Sequence, residues 1–199
     1  MLSIRAQRKP VTVRANSKMK TLLIIIMTYV TSSAYSQTNE NKNIQFYLNH
    51  SKVSKTAKDF YYNKFKASDN DRTFSIFDSL NTKNNATRPF YIFLCSRIME
   101  KSDGALSEFA GLAAKAFVEN HPRTFFAFFK RQNNLLATEK YFKIWAKQVA
   151  AEIAIECENK EKTCLVGTIK QMKLNSTGTD QRINYQIDQF GSLIKNYLP

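Results

Sequence analysis

From about residue 43 to the C-terminus, apolar side chains recur every three or four positions, and no comparable stretch alternates with period two. That spacing predicts a chain built almost wholly of helices. Ser102 and Asp103 offer caps, and after them Leu106, Phe109, Ala113 and Phe117 fall on one face while Glu108, Lys115 and Glu119 share the other. Ala105, Ala110, Gly111, Ala113, Ala114 and Ala116 let a neighbouring helix approach this one closely. Phe142, Trp145, Val149 and Ile153 mark a long helix over 135–158, and Leu165, Ile169 and Met172 a shorter one. Ile183, Ile187, Phe190, Ile194 and Leu198 carry a last stripe almost to the end.

Earlier segments are less regular. Residues 43–66 mix Phe46, Tyr47, Phe60, Tyr61, Tyr62 and Phe65 with many lysines and are predicted as one helix. Ser68 and Asp71 have capping-box spacing, with an Asp in the reciprocal position, ahead of the stripe Phe74, Phe77, Leu80. After the polar turn 81–87, Pro89 fits the first turn of a helix over 89–101, and Pro122 ends one helix and opens the next, 123–132. Short amphipathic helices joined by polar or proline turns predict an all-α fold, either an irregular helical bundle or a HEAT-like α-α superhelix. No clean repeat period decides between them.

The N-terminal pattern differs in kind. Lys20 precedes the apolar run Leu22, Leu23, Ile24, Ile25, Ile26, Met27, and Ala34-Tyr35-Ser36 follows, so residues 19–36 are predicted to be a signal peptide cleaved before Gln37. The run is shorter than the roughly 20 apolar residues of a spanning helix, so no stable membrane anchor is expected. No cysteine lies near the cleavage site to carry a lipid anchor. Residues 1–18 carry Arg5, Arg8, Lys9, Arg14 and Lys18 and no acid. They are read as an extension from an upstream start codon, the alternatives being a long basic n-region or a transit peptide. Residues 37–43 are polar and expected to be disordered, with a single helical domain over 44–199. The destination is then the periplasm or the exterior.

Removal of the leader changes the charge. The whole chain has 30 Lys and Arg against 16 Asp and Glu, a net +14. Residues 1–36 hold six of the cations and none of the acids, leaving 24 minus 16, or +8. This moderate excess suits an acidic protein or an anionic polymer. The cations are dispersed and no nucleic-acid-binding motif accompanies them, so nucleic acid is not expected as a partner. Three cysteines would meet an oxidising compartment. Cys157 and Cys164 flank a polar corner between two predicted helices and are paired here, while Cys95 sits in an apolar pattern and is predicted to be buried and free.

The segment over 69–126 includes Phe77-Asp78-Ser79-Leu80-Asn81-Thr82, Thr87-Arg88-Pro89-Phe90-Tyr91 and Ser102-Asp103-Gly104-Ala105-Leu106. It resembles uncharacterised small exported helical proteins of Gram-negative bacteria. The resemblance implies a bacterial periplasmic or secreted helical protein and brings no catalytic residues with it.

Little in the sequence points to chemistry. His50 and His121 are the only histidines, and neither has a second histidine nearby, so no triad or zinc set is expected. His121 precedes Pro122 at a helix C-terminus, where a partly positive side chain is favourable. His50 lies in a polar stretch and is expected to be exposed. Asp69-Asn70-Asp71 begins like a calcium loop, but Phe74 stands at the glycine position and Leu80 at the bidentate acid, so capping accounts for it better. Five scattered glycines build no phosphate loop, and neither metal nor cofactor is expected.

Two charge placements stand out. Projected at 100° per residue, Arg97 falls among Phe90, Phe93 and Leu94 on the buried side of its helix, where a guanidinium requires an acid. Glu156 projects near Trp145, Val149 and Ile153, one turn after Glu152. Glu152 and Glu156 either serve in a structural ion pair or form an acid-base pair of a hydrolase or lyase with Arg97 holding an anion. Phe125, Phe126, Phe128 and Phe129 are predicted to surround their helix, either as a buried central helix, which is expected, or as a surface for a partner or lipid. Lys140, Lys143 and Lys147 cluster opposite Phe142, Val149 and Ile153, either as a solvated face or as a stripe that binds an acidic protein or anionic polymer. The expected function is a non-enzymatic helical binding protein, an inhibitor or immunity-type protein being the alternative.

Overall fold

A computed structural model describes residues 44–81, 84–130, 138–176 and 180–199. The predicted leader, its cleavage site and the stretch 37–43 lie outside these residues, as do 131–137 and 177–179. The described residues hold nine α-helices: α1 Ile44–Asn49, α2 Lys55–Tyr61, α3 Asp71–Asp78, α4 Arg88–Met99, α5 Gly104–Asn120, α6 Pro122–Lys130, α7 Thr138–Glu156, α8 Glu161–Asn175 and α9 Gln181–Lys195. A single 3₁₀ turn, Ser79–Asn81, follows α3, and no strand occurs among the described residues.

The predicted helix over 43–66 is in fact two. Ser54 caps α2 by accepting from the Ala57 N–H at 3.1 Å, and its own N–H donates to the Tyr91 hydroxyl at 3.1 Å, which fixes the corner to α4. At the other end Asn63 adopts a left-handed conformation, φ 57°. The Lys64 N–H then reaches the Asp59 carbonyl and the Asn63 N–H the Phe60 carbonyl, a Schellman arrangement that stops the helix without glycine. Beyond it the Asp59 carboxylate, 6% exposed, takes Lys55 at 2.6 Å, Lys64 at 3.2 Å and Arg72 at 3.3 Å, tying α2 to α3. Its carboxyl is held below the usual range, first by the Lys55 hydrogen bond. The cap of α3 is Asn70, whose side chain accepts from the Thr73 N–H, and not Ser68 as the spacing predicts.

Of the two predicted architectures the bundle forms. α5 packs along α7 and also meets α3, α4, α6 and α8, while α9 closes over α6, α7 and α8. In a solenoid each unit meets only its sequence neighbours. Here the buried residues form one cluster, with Trp145, Phe77, Phe90, Phe117, Phe125 and Phe190 its largest fully buried side chains. The arc of Phe125, Phe126, Phe128 and Phe129 covers about 160° of α6 at helical spacing, so the four rings line one face rather than surround it. All four are buried, while Arg123, Ala127 and Lys130 face outward.

No helix among the described residues is long and apolar enough to cross a membrane. Cys157 and Cys164 form a disulfide between the end of α7 and the first turn of α8, and Cys95 is free and fully buried, its thiol pushed well up by burial. Such a bond fits an oxidising compartment. Closing a loop of sequence separation 7 is worth about 2–3 kcal/mol in the chain-entropy model. Replacing both cysteines by serine should therefore lower unfolding free energy by about that amount. Urea titrations of the oxidised protein and the double variant check it, and coincident curves would show that the bond constrains nothing.

Candidate functional site

The lysine face lies where the helical projection puts it. Lys140, Lys143 and Lys147 are all exposed on α7, while Trp145, Ala146, Val149 and Ala150 point into the core. Two of the three are already engaged. Lys143 meets Glu139 at 2.7 Å, and Lys140 pairs with Glu100, which also accepts from the Tyr141 hydroxyl at 2.8 Å. The Lys140 hydrogen bond, then that from Tyr141, holds the Glu100 carboxyl below its usual range. Among the described residues Lys147 forms no ion pair. Exposed pairs of this kind hold weakly, so an acidic partner could displace Glu139 at small cost.

Beside this face lies an aromatic slot. Phe126 and Phe129 of α6, Phe142 of α7 and Tyr185 of α9 enclose a cavity of about 350 Å³, with Lys130, Glu139, Gln186 and Gln189 also lining it. Phe126 and Phe129 are nearly buried by packing with Phe142 at 6.3 and 5.4 Å between ring centroids, whereas Tyr185 is 65% exposed. Behind the slot Phe142 meets Phe190 at 5.0 Å, so its inner wall is part of the rigid core. Glu139 belongs to both features, lining the slot and pairing with Lys143, so slot and lysine face share a border. The sequence shows the phenylalanines as a run, but Tyr185 lies off the stripe of its helix and carries no signal of its own.

Glu152 and Glu156 turn towards α5, as their projection suggests, but are less buried than it implies. Glu156 is exposed because it ends α7, one turn beyond the buried Trp145, Val149 and Ile153. Its carboxylate takes Lys115 at 2.9 Å, and Lys115 also meets Glu119 at 3.2 Å, which in turn accepts from the Thr168 hydroxyl at 2.9 Å. Glu152 is half-buried over Gly111, and burial first, then the charge of Glu156, pushes its carboxyl up, against the pull of Lys115. Glu156 thus belongs to an ion network joining α5, α7 and α8, and Glu152 lies beside it. Arg97 stands elsewhere. It is half-buried, donates to Asn63 Oδ1 at 3.1 Å, and lies 5.6 and 5.7 Å from the ring centroids of Phe60 and Phe93. The expected buried acid partner is replaced by a carboxamide and two aromatic faces.

The buried guanidinium is instead Arg88, 4% exposed at the start of α4. His121 caps α5 through its backbone, and burial, then the nearby Arg88 charge, lowers its imidazole pKa, which works against the cationic cap that its position predicts. His50 is half-buried and accepts from the Lys52 N–H at 3.0 Å. Among the described residues no three His, Cys, Asp or Glu side chains gather as a metal set. No protein-family model, curated protein or solved structure matches the chain.

Proposed function

We propose that the chain is an exported helical binding protein, acting in the periplasm or outside the cell, that docks an acidic protein partner at the aromatic slot and the lysine face beside it. One observation carries the reading. An open cavity walled by Phe126, Phe129, Phe142 and Tyr185 shares Glu139 with the lysine face. A partner that inserts an apolar side chain between the rings places its acids against Lys143 and Lys147. The rings supply the buried anchor that dominates interface energies, and the lysines supply steering and register. The Cys157–Cys164 bond supports export, as does the resemblance to exported proteins of Gram-negative bacteria.

Pull-down from the native envelope tests it. Wild type should retain a stable partner. The variant Lys140→Glu/Lys143→Glu/Lys147→Glu should lose it while keeping its circular dichroism, because all three side chains are exposed, and breaking the Lys140–Glu100 and Lys143–Glu139 pairs should lower its melting temperature only slightly. Tyr185→Ala should weaken retention about tenfold without unfolding the chain, the truncation of one hot-spot ring. Equal recovery by wild type and both variants, or recovery of nothing by wild type, rejects the proposal.

A further inference from the structure

The corner between α2 and α3 carries an excess of positive charge. Residues 52–72 hold six cations, Lys52, Lys55, Lys58, Lys64, Lys66 and Arg72, against three acids, Asp59, Asp69 and Asp71. The buried Asp59 carboxylate takes Lys55, Lys64 and Arg72 together, so three cations gather on one acid and two of their charges stay uncancelled. All three reach water, Lys55 being 87% exposed. Lys52, Lys58 and Lys66 form no ion pair with any described residue. Nor do Asp69 and Asp71, of which Asp71 opens α3, where the helix dipole favours an acid.

The apolar part of this corner is aromatic. At 100° per residue Lys55, Lys58 and Tyr62 fall within about 60° of one another along α2. Tyr62 is 53% exposed at the end of that helix. Lys64 Nζ lies over its ring at 5.8 Å from the centroid, and the Arg72 guanidinium lies over the Phe65 ring at 3.9 Å. A sugar, which binds aromatic rings by stacking, therefore finds a cation already on a face of each. What Tyr62 still offers is its edge and its hydroxyl, an apolar body with a polar tip, standing among ammonium groups. That combination matches the headgroup layer of a bilayer, where tyrosine settles with its ring in the apolar boundary and its hydroxyl in water.

We propose that the α2–α3 corner is a docking surface for an anionic lipid bilayer, its lysines meeting lipid phosphates and Tyr62 entering the headgroup layer. The attachment rests on charge and one ring, so it is peripheral, reversible and released by salt. It is separate from the aromatic slot and the lysine face of α7, whose residues it does not use.

Cosedimentation with vesicles of phosphatidylcholine, alone or mixed with phosphatidylglycerol, tests it. The protein should bind the mixed vesicles only, and should leave them as salt is raised. Lys52→Gln/Lys58→Gln/Lys66→Gln removes three cations that hold no ion pair, and should weaken binding roughly a hundredfold, about fivefold for each lysine near an anionic surface. Lys162→Gln/Lys170→Gln/Lys195→Gln takes the same charge from exposed positions on α8 and α9 and should leave binding nearly unchanged. Tyr62→Trp puts an indole at the corner, and its emission should move to the blue when mixed vesicles are added, against a constant background from the buried Trp145. Circular dichroism shows that each variant folds. Binding that ignores phosphatidylglycerol, that both triple variants weaken alike, or that leaves the indole emission unmoved overturns the assignment. Tighter binding to a soluble anionic polysaccharide than to the vesicles also overturns it, in favour of a polymer site.

Discussion

Trp145→Ala is expected to remove about 3–5 kcal/mol of unfolding free energy, the usual cost of truncating a fully buried large aromatic residue. Trp145 is 0% exposed and donates from Nε1 to Ser96 Oγ at 2.8 Å. Its ring lies 5.6 Å from Phe117 and 5.3 Å from Phe125, so it joins α7 to α4, α5 and α6 at once. The void left by alanine cannot collapse easily, because each of those neighbours is held by others. A domain of this size has about 5–15 kcal/mol in total, so the loss is a large fraction of its stability. Trp145→Phe keeps most of the ring volume and loses the hydrogen bond, and about 1–2 kcal/mol is expected. Urea titration followed by circular dichroism checks both, since the only tryptophan of the chain is the one replaced. Equal losses for alanine and phenylalanine would show that the hydrogen bond, and not the packing, is what matters here.

The stripes that were legible belong to helices with one wet side. Ile183, Ile187, Phe190 and Ile194 of α9 are all buried, as are Trp145, Val149 and Ile153 of α7, and the lysines opposite them on α7 are exposed. α4 has almost no wet side: Phe90 to Ser96 are all buried, as are Ile98 and Met99. Projection of α4 therefore ranks residues on a wheel without an outside, and Arg97, at the edge of the core, is misread as central. Arg88 carries a weak local signal that points the right way. A cation in the first turn opposes the helix dipole, so its side chain needs acceptors elsewhere, which Leu80 and Asn85 provide.

Helix stops that depend on a left-handed residue are also faint, as at Asn63, because asparagine occurs far more often in other conformations. The disulfide was readable because both cysteines flank one short corner. The slot was not, because it takes side chains from helices far apart in the chain, and only the packing brings Tyr185 to Phe129.

Gly111→Leu should cost about 3 kcal/mol, the upper part of the range for overpacking a tight interface. Gly111 is buried where α5 runs along α7, the most extensive helix contact of the bundle. A Cβ built there would stand 3.1 Å from the Gln148 carbonyl oxygen and 3.3 Å from Glu152 Cβ. The first of these is backbone inside a helix, so space can come only from moving α7 as a whole. Such a movement would pull Gln148 from Ser102 and Ser107, at 3.3 and 3.4 Å, and disturb the Lys115–Glu156 pair at 2.9 Å. Gly111→Ala calibrates the claim. Alanine gains about 1 kcal/mol over glycine in a helix interior, while its methyl asks a few tenths of an ångström from α7, so the two effects should nearly cancel. Urea midpoints of wild type, alanine and leucine variants should therefore fall as two close values and one much lower. A leucine variant as stable as wild type would mean that α5 and α7 do not meet through this glycine, and the Lys115 network built on the same contact would lose its basis.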